Sequence, residues 1–168
     1  MPNSQTPIFG PEFDQVTVHA SDDPGLAEKI RQLVSQQSFG ILCTQGDGQP
    51  YGSLIAFVFS DDLKSYFFTT PIATRKYQLL SACNRVALVV DNRCHHPNDT
   101  KQIEAITATG KATRLESGTD YDRGMMLLKN KHAYFNSFLD ASSTALFRVN
   151  IVRYFYVTHL QNVSQWIP

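Results

Sequence analysis

The sequence carries no excess charge of either sign: fifteen lysines and arginines are matched by fifteen aspartates and glutamates. A chain that coats nucleic acid or lies on an anionic bilayer needs a basic surplus, so neither partner is expected here. Any anion must be held by a local cluster. Long apolar runs are missing too: "LIAFVF" and "VALVV" fall far short of the roughly 20 residues of a membrane-spanning helix. The opening "MPNSQTPIFGPEF" has no basic run ahead of an apolar stretch, so no signal peptide is expected. Cysteine is scarce, and Cys43, Cys83 and Cys94 are an odd set without close pairs. That usage fits a reducing cytoplasm rather than a disulfide-stapled secreted domain. Neither G-x-G-x-x-G nor G-x-x-x-x-G-K occurs, which removes the standard dinucleotide and P-loop fingerprints.

What is present reads as one domain, residues 21–168, behind an arm, residues 1–20, in which Pro2, Pro7, Gly10 and Pro11 discourage regular structure. "SDDPGLAEKIRQLVSQQ" predicts a helix, with Asp23 as cap, Pro24 in the first turn and Leu26, Ile30, Leu33 and Val34 on one face. The period then shortens. "FGILCTQ", "YGSLIAFVFS" and "LKSYFFTT" predict strands, the first two joined by the turn "GDGQP". "NRVALVVDN" predicts a strand buried on both faces, and "KQIEAITATGKATRL" an alternating strand that includes Gln102. "SGTDYDRGMMLLKNKHAYFNSFL" has helical spacing at Tyr121, Met125, Leu128 and His132, weakened at Gly124 and open to division at Asn130. "TALFRVNIVRYFYVTHL" predicts one bent strand or two paired strands. Only "PIATRKYQLLSAC" is long enough for a helical crossover. The fold class is therefore mainly β with peripheral helices, a closed antiparallel barrel.

Within "YFFTTPIATRKYQLL", Arg75 and Lys76 sit side by side just past a Thr-Thr corner. Pro71 ends the strand, and a helix starting there offers free N–H groups and partial positive charge. Thr69, Thr70 and Thr74 add hydroxyls, Arg75 a planar two-point donor and Lys76 a compact charge. Together they suit a phosphate monoester. Two solvated cations on a helix are the plainer reading of the same pair.

The order of signals resembles the pyridoxamine 5′-phosphate oxidase family and its FMN-binding split-barrel relatives. "GDGQPYGS" leads into a strand; "YFFTTPIATRK" is similar to the family's strand followed by Ser-Arg-Lys; "NRVALVVDN" and "KQIEAITATGKATRLES" are similar to its next two strands. The likeness covers residues 27–117. It implies an antiparallel split β-barrel that binds FMN at the interface of a homodimer. It further implies that Arg75 and Lys76 grip the FMN phosphate, with Thr74 in the place of a serine. Phe68 and Thr69 would lie beside the cofactor, Gln102 would hydrogen-bond the ring, and Ser53, Leu54 and Ile55 would line it.

The pattern departs from the oxidase where an arginine aligns with Ser53 and a lysine near Val58, and where "KHAYFNSFLDASS" lacks cations for a B6 phosphate. A buried phosphate without cationic partners is strongly unfavourable, so the cofactor half of the motif is better kept than the substrate half. The expected function is that of an FMN-dependent oxidoreductase with an altered site for a small substrate or electron donor. A non-catalytic flavin or haem carrier or sensor is the alternative. No residue presents itself as general acid or base. Cys94, His95 and His96 in "NRCHHPND" are metal-binding types, but consecutive residues rarely face one ion, and no metal site is expected. Cys43 reads as core, and Trp166 as a cover for a flavin or an anchor for the tail.

Overall fold

The computed structural model describes residues 18–20, 24–160 and 162–168. Its elements are β1 (Val18–Ala20), α1 (Pro24–Gln36), β2 (Phe39–Gly46), β3 (Gln49–Phe59), β4 (Ser65–Pro71), α2 (Arg75–Ala82), β5 (Arg85–Asp91), β6 (Glu104–Leu115), α3 (Thr119–Lys131), α4 (Asn136–Leu139), β7 (Thr144–Thr158) and β8 (Asn162–Trp166). The expected cap Asp23 and most of the expected arm lie outside the described residues. The arm's last three residues form β1, which pairs in parallel with β8.

One sheet runs β1-β8-β7-β4-β3-β2-β5-β6, and β6 pairs back onto β7 to close a barrel of β2 to β7. The β2–β3 hairpin turns at Asp47 and Gly48, both at positive φ (53° and 75°), the two-residue turn whose twist suits antiparallel strands. β7 is a single strand bent by a bulge: Thr109 pairs with Arg153 and Gly110 with Ile151, leaving Val152 unopposed. At that point the strands approach so closely that a Cβ on Gly110 would lie 2.4 Å from the Asn150 carbonyl oxygen.

Alternation sends Leu42, Phe57, Tyr66, Phe68, Leu88, Ile106, Val149 and Tyr154 into the barrel. The apolar face of α1, at Leu26, Ile30, Leu33 and Val34, packs into the same core at one mouth, and Leu80 and Tyr77 of α2 join it at the other. A second, smaller core lies outside the barrel, where Leu128 and Leu139 of α3 and α4 cover Val58, Phe67 and Leu146. Gly124 lets α3 settle onto Phe67, whose ring would lie 2.6 Å from an added Cβ. α3 runs unbroken past Asn130 and ends at His132.

Two expectations need correction. β5 is buried on one face only: Val86, Leu88 and Val90 face inward, while Ala87 and Val89 stand half-buried on the outer wall. Among the described residues α3 and α4 cover the wall at β3, β4 and β7, while Ile41, Ala87, Val89 and Val152 stand half-buried or exposed on the outer wall of β2, β5 and β7. Gln102 is not on a strand. Asp99 accepts the Lys101 N–H (3.0 Å) and the Gln102 side-chain amide (2.8 Å), holding residues 100–102 in a 3-10 turn before β6 begins.

Candidate functional site

The chain leaves β4 at Pro71 and enters α2 through Thr74, an extended residue whose hydroxyl accepts the Tyr77 N–H at 3.3 Å. The same hydroxyl donates to the Pro71 carbonyl at 2.9 Å and stands 3.0 Å from that of Thr70, which is fully buried. Thr74 is thus the cap that starts the helix, and it fixes where Arg75 and Lys76 project. Neither cation has a carboxylate partner among the described residues, whereas Arg31, Arg93, Arg114, Lys129 and Arg148 all do. The exposed Arg75 lies over the Tyr51 ring, its guanidinium carbon 5.5 Å from the centroid. Lys76 is half-buried, donates to the Leu54 carbonyl at 3.1 Å, and burial lowers its pKa. Two uncompensated cations at the positive end of an eight-residue helix are the chemistry that holds a phosphate.

Beside Lys76 the outer wall opens into an apolar cavity of about 190 Å³. Leu54, Ile55, Ala56, Thr69, Pro71 and Lys76 form its barrel side, and His132, Phe135, Phe138, Leu128 and Leu139 form its helical side. The structure therefore brings Leu54, Ile55, Thr69 and Lys76, four of the sequence-predicted residues, around one hollow. Leu54 is 63% exposed there.

The other predicted residues are placed differently. The Phe68 ring is fully buried inside the barrel, stacked on Phe147 (5.4 Å, 9°), so only its backbone faces the corner. The Ser53 hydroxyl turns to the Leu42 carbonyl at 3.5 Å. Gln102 stands on its own exposed turn, outside the cavity. Cys43, expected in the core, is on the outer wall. It lines a shallow hollow of about 530 Å³ with Ala87, Thr109 and Val152. Trp166 stacks on Tyr154 (5.4 Å) and anchors the last strand. Cys94, His95 and His96 form a loop after β5, and no three His, Cys, Asp or Glu side chains are grouped for a metal among the described residues.

His132 is the residue whose place the sequence did not reveal. It is 1% exposed, and its Nε2–H donates to the Phe57 carbonyl at 2.9 Å, while the buried Nδ1, left as an acceptor, has no partner among the described residues. Phe39 (6.3 Å), Phe135 (6.3 Å) and Tyr134 (6.2 Å) surround the ring. Burial holds its pKa down against the opposing pull of the Phe57 carbonyl, and Lys131 lowers it further. The only sequence signal was its helical spacing from Leu128, which also fits an ordinary core position.

The family model for pyridoxamine 5′-phosphate oxidase matches residues 26–158. No curated protein matches the sequence. Among solved structures, a haem-binding protein from Mycobacterium smegmatis aligns with a TM-score of 0.76 at 16% identity, over 86% of this chain. This chain spans only 58% of that protein's length. A Clostridium acetobutylicum protein of the pyridoxinephosphate oxidase family, related to general stress protein 26 of B. subtilis, aligns with a TM-score of 0.65 at 16% identity, over 85% of this chain and 94% of its own. A FAD-binding protein from Mesorhizobium loti gives 0.61 at 16% identity, over 77% of this chain and 92% of its own. At these identities the likeness is one of fold, and the split barrel is that fold. Among the described residues no helix is long and apolar enough to cross a membrane.

Proposed function

We propose a function from one premise: the chain belongs to the pyridoxamine 5′-phosphate oxidase family. It binds FMN, with the phosphate on Arg75, Lys76 and the first turn of α2, and it works as an FMN-dependent oxidoreductase on a small molecule. The observation that carries this reading is that Arg75 and Lys76 lack carboxylate partners among the described residues, at a helix N-terminus capped by Thr74. Leaving Lys76 half-buried beside only a carbonyl is unfavourable for the empty protein, and an anion offsets it. FMN, when bound, supplies hydride transfer; the chain supplies binding, orientation and exclusion of water. Leu54 offers an apolar wall, to which Ile55 adds only backbone because its side chain packs in the barrel core, Thr69 a hydroxyl at its edge and Lys76 a fixed cation. The lack of cations elsewhere in the cavity argues against a second phosphate, and hence against pyridoxamine phosphate as the substrate.

The working unit in this reading is a cytoplasmic homodimer with FMN at the subunit interface. Two observations support it: the 190 Å³ cavity is too small to enclose a tricyclic ring, and the outer wall at Ile41, Ala87, Val89 and Val152 is apolar and, among the described residues, left half-buried or exposed. Gln102, away from the corner in its own protomer, contacts the ring only if FMN reaches its exposed turn. A non-catalytic flavin or haem carrier is the second reading, favoured by the absence of an acid–base pair beside Lys76. The visible spectrum and mass of ligand released from freshly purified protein test the proposal. A flavin band and the mass of FMN support it, a haem spectrum favours the carrier, and colourless protein without FMN affinity overturns it. Multiple turnovers with a nicotinamide donor separate enzyme from carrier.

A further inference from the structure

Arg75 and Lys76 leave the same helical turn, and β3 meets each of them in a different way. Lys76 gives one of its three N–H groups to the Leu54 carbonyl at 3.1 Å. Arg75 meets a ring instead: its guanidinium carbon lies 5.5 Å from the centroid of Tyr51, three residues before Leu54 on the strand. The two contacts differ in what they leave free. A carbonyl or carboxylate occupies N–H donors, whereas the face of an aromatic ring attracts the charge and occupies none. Arg31, Arg93, Arg114 and Arg148 are each turned to a carboxylate. The Arg75 side chain donates no hydrogen bond among the described residues, so all five of its N–H groups remain available there.

The ring is itself held. Tyr51 is half-buried and pairs with Thr44 across the β2–β3 ladder. The buried Thr44 hydroxyl donates to the Tyr51 carbonyl at 3.2 Å, so the aromatic face stands on rigid sheet rather than on a loop. Arg75 is exposed, and a long side chain without a guide loses rotamer freedom when it grips a ligand. A fixed ring beside the guanidinium reduces that loss and leaves the donor edge free for a two-point contact.

We propose that Tyr51 is a positioning residue for the phosphate of the bound flavin: its ring holds Arg75 in place for a bidentate contact with the phosphate oxygens. The inference rests on the proposed function for the identity of the anion, and it adds a residue outside the cavity wall that faces the flavin there. The ring does the holding and the phenol hydroxyl does not, so phenylalanine is expected to serve as well.

FMN and riboflavin, which lacks the phosphate, are titrated by flavin fluorescence into full-length parent, Tyr51→Phe and Tyr51→Leu. Tyr51→Leu is expected to lower FMN affinity about two- to five-fold, the value of one exposed cation–π contact, and to leave riboflavin affinity unchanged. Tyr51→Phe is expected to bind FMN as the parent does. In the Arg75→Ala background, Tyr51→Leu is expected to bring no further loss. A tighter FMN affinity in Tyr51→Leu, or an equal loss for riboflavin, overturns the proposal. On the parent alone, whether or not a variant folds, it is overturned if the Arg75 side-chain proton signals lose their ring-current shift when FMN binds. FMN binding that is tighter than riboflavin binding but unmoved by Tyr51→Leu sinks the positioning role only. A parent that binds riboflavin as tightly as FMN, or binds neither, sinks the phosphate reading and this role with it.

Discussion

Lys76 Nζ and the Leu54 carbonyl, 3.1 Å apart, tie the first turn of α2 to the outer wall of β3. This single neutral partner leaves the positive charge uncompensated, and burial already disfavours the charged amine. Lys76→Met keeps the apolar stem and removes the charge. The variant is expected to be as stable as the parent, or slightly more so, in urea unfolding. Its FMN affinity is expected to fall by about 10- to 150-fold, the value of one charge-assisted hydrogen bond of about 1.5–3 kcal/mol. A loss of stability matching the loss of affinity would make Lys76 a structural residue.

Lys131 gives a pH signature. Its amine lies over the Phe57 ring, 4.3 Å from the centroid, and donates to the Val34 carbonyl at 3.0 Å. Burial pulls its pKa from 10.5 down to about 8. Between those values the unfolded chain binds more protons than the folded one, so stability rises with pH across the window. Below about pH 8 the cost of holding a buried charge is fully present. Above roughly pH 10 the trend reverses, because unfolded tyrosines ionise there while buried Tyr66, Tyr154 and Tyr156 resist ionisation. Denaturant midpoints at pH 7.5 and 9.5 should increase in the parent, with a smaller increase in Lys131→Met.

Barrel closure depends on Gly110. An alanine there would place Cβ 2.4 Å from the Asn150 carbonyl oxygen and 2.7 Å from a Val149 methyl group, and backbone cannot step aside as a flexible side chain can. Gly110→Ala is expected to lower stability by about 1–3 kcal/mol, read as a lower urea midpoint. An unchanged midpoint would show that β6 and β7 are not so closely apposed.

Val152 tests the assembly. It is the unopposed residue of the β7 bulge, 52% exposed, in the apolar hollow on the outer wall. Sedimentation is expected to give the parent twice the 18.9 kDa of one chain. Val152→Glu is expected to give single chains whose unfolding midpoint is close to the parent's at matched low concentration. A dimeric variant would place the interface elsewhere.

Much of the barrel was legible in the sequence because its strands alternate cleanly and its hairpin turn is marked by Asp47-Gly48. The corner at the start of α2 was legible for a local reason: Thr74, Arg75 and Lys76 are consecutive, and one cap positions all three. What depends on distant chain was not legible. Phe68 and Thr69 are neighbours, yet strand pleating turns one into the core and the other to the cavity. Gln102 looked like strand because its neighbours alternate, and the side chain of Asp99 overrides that pattern. His132 meets Phe57 across 75 residues, a relationship no local spacing carries. The outer face of β5 looks buried in the sequence because apolar residues on a half-buried wall read the same as those beneath a helix.

The most direct test is an FMN titration of the parent and the double variant Arg75→Ala/Lys76→Ala, followed by quenching of flavin fluorescence. Loss of both charge-assisted contacts is expected to cost about 3–6 kcal/mol, a fall in affinity of more than a hundred-fold, while circular dichroism stays that of the folded barrel. Equal FMN affinity in parent and variant would contradict the placement of the phosphate at this corner.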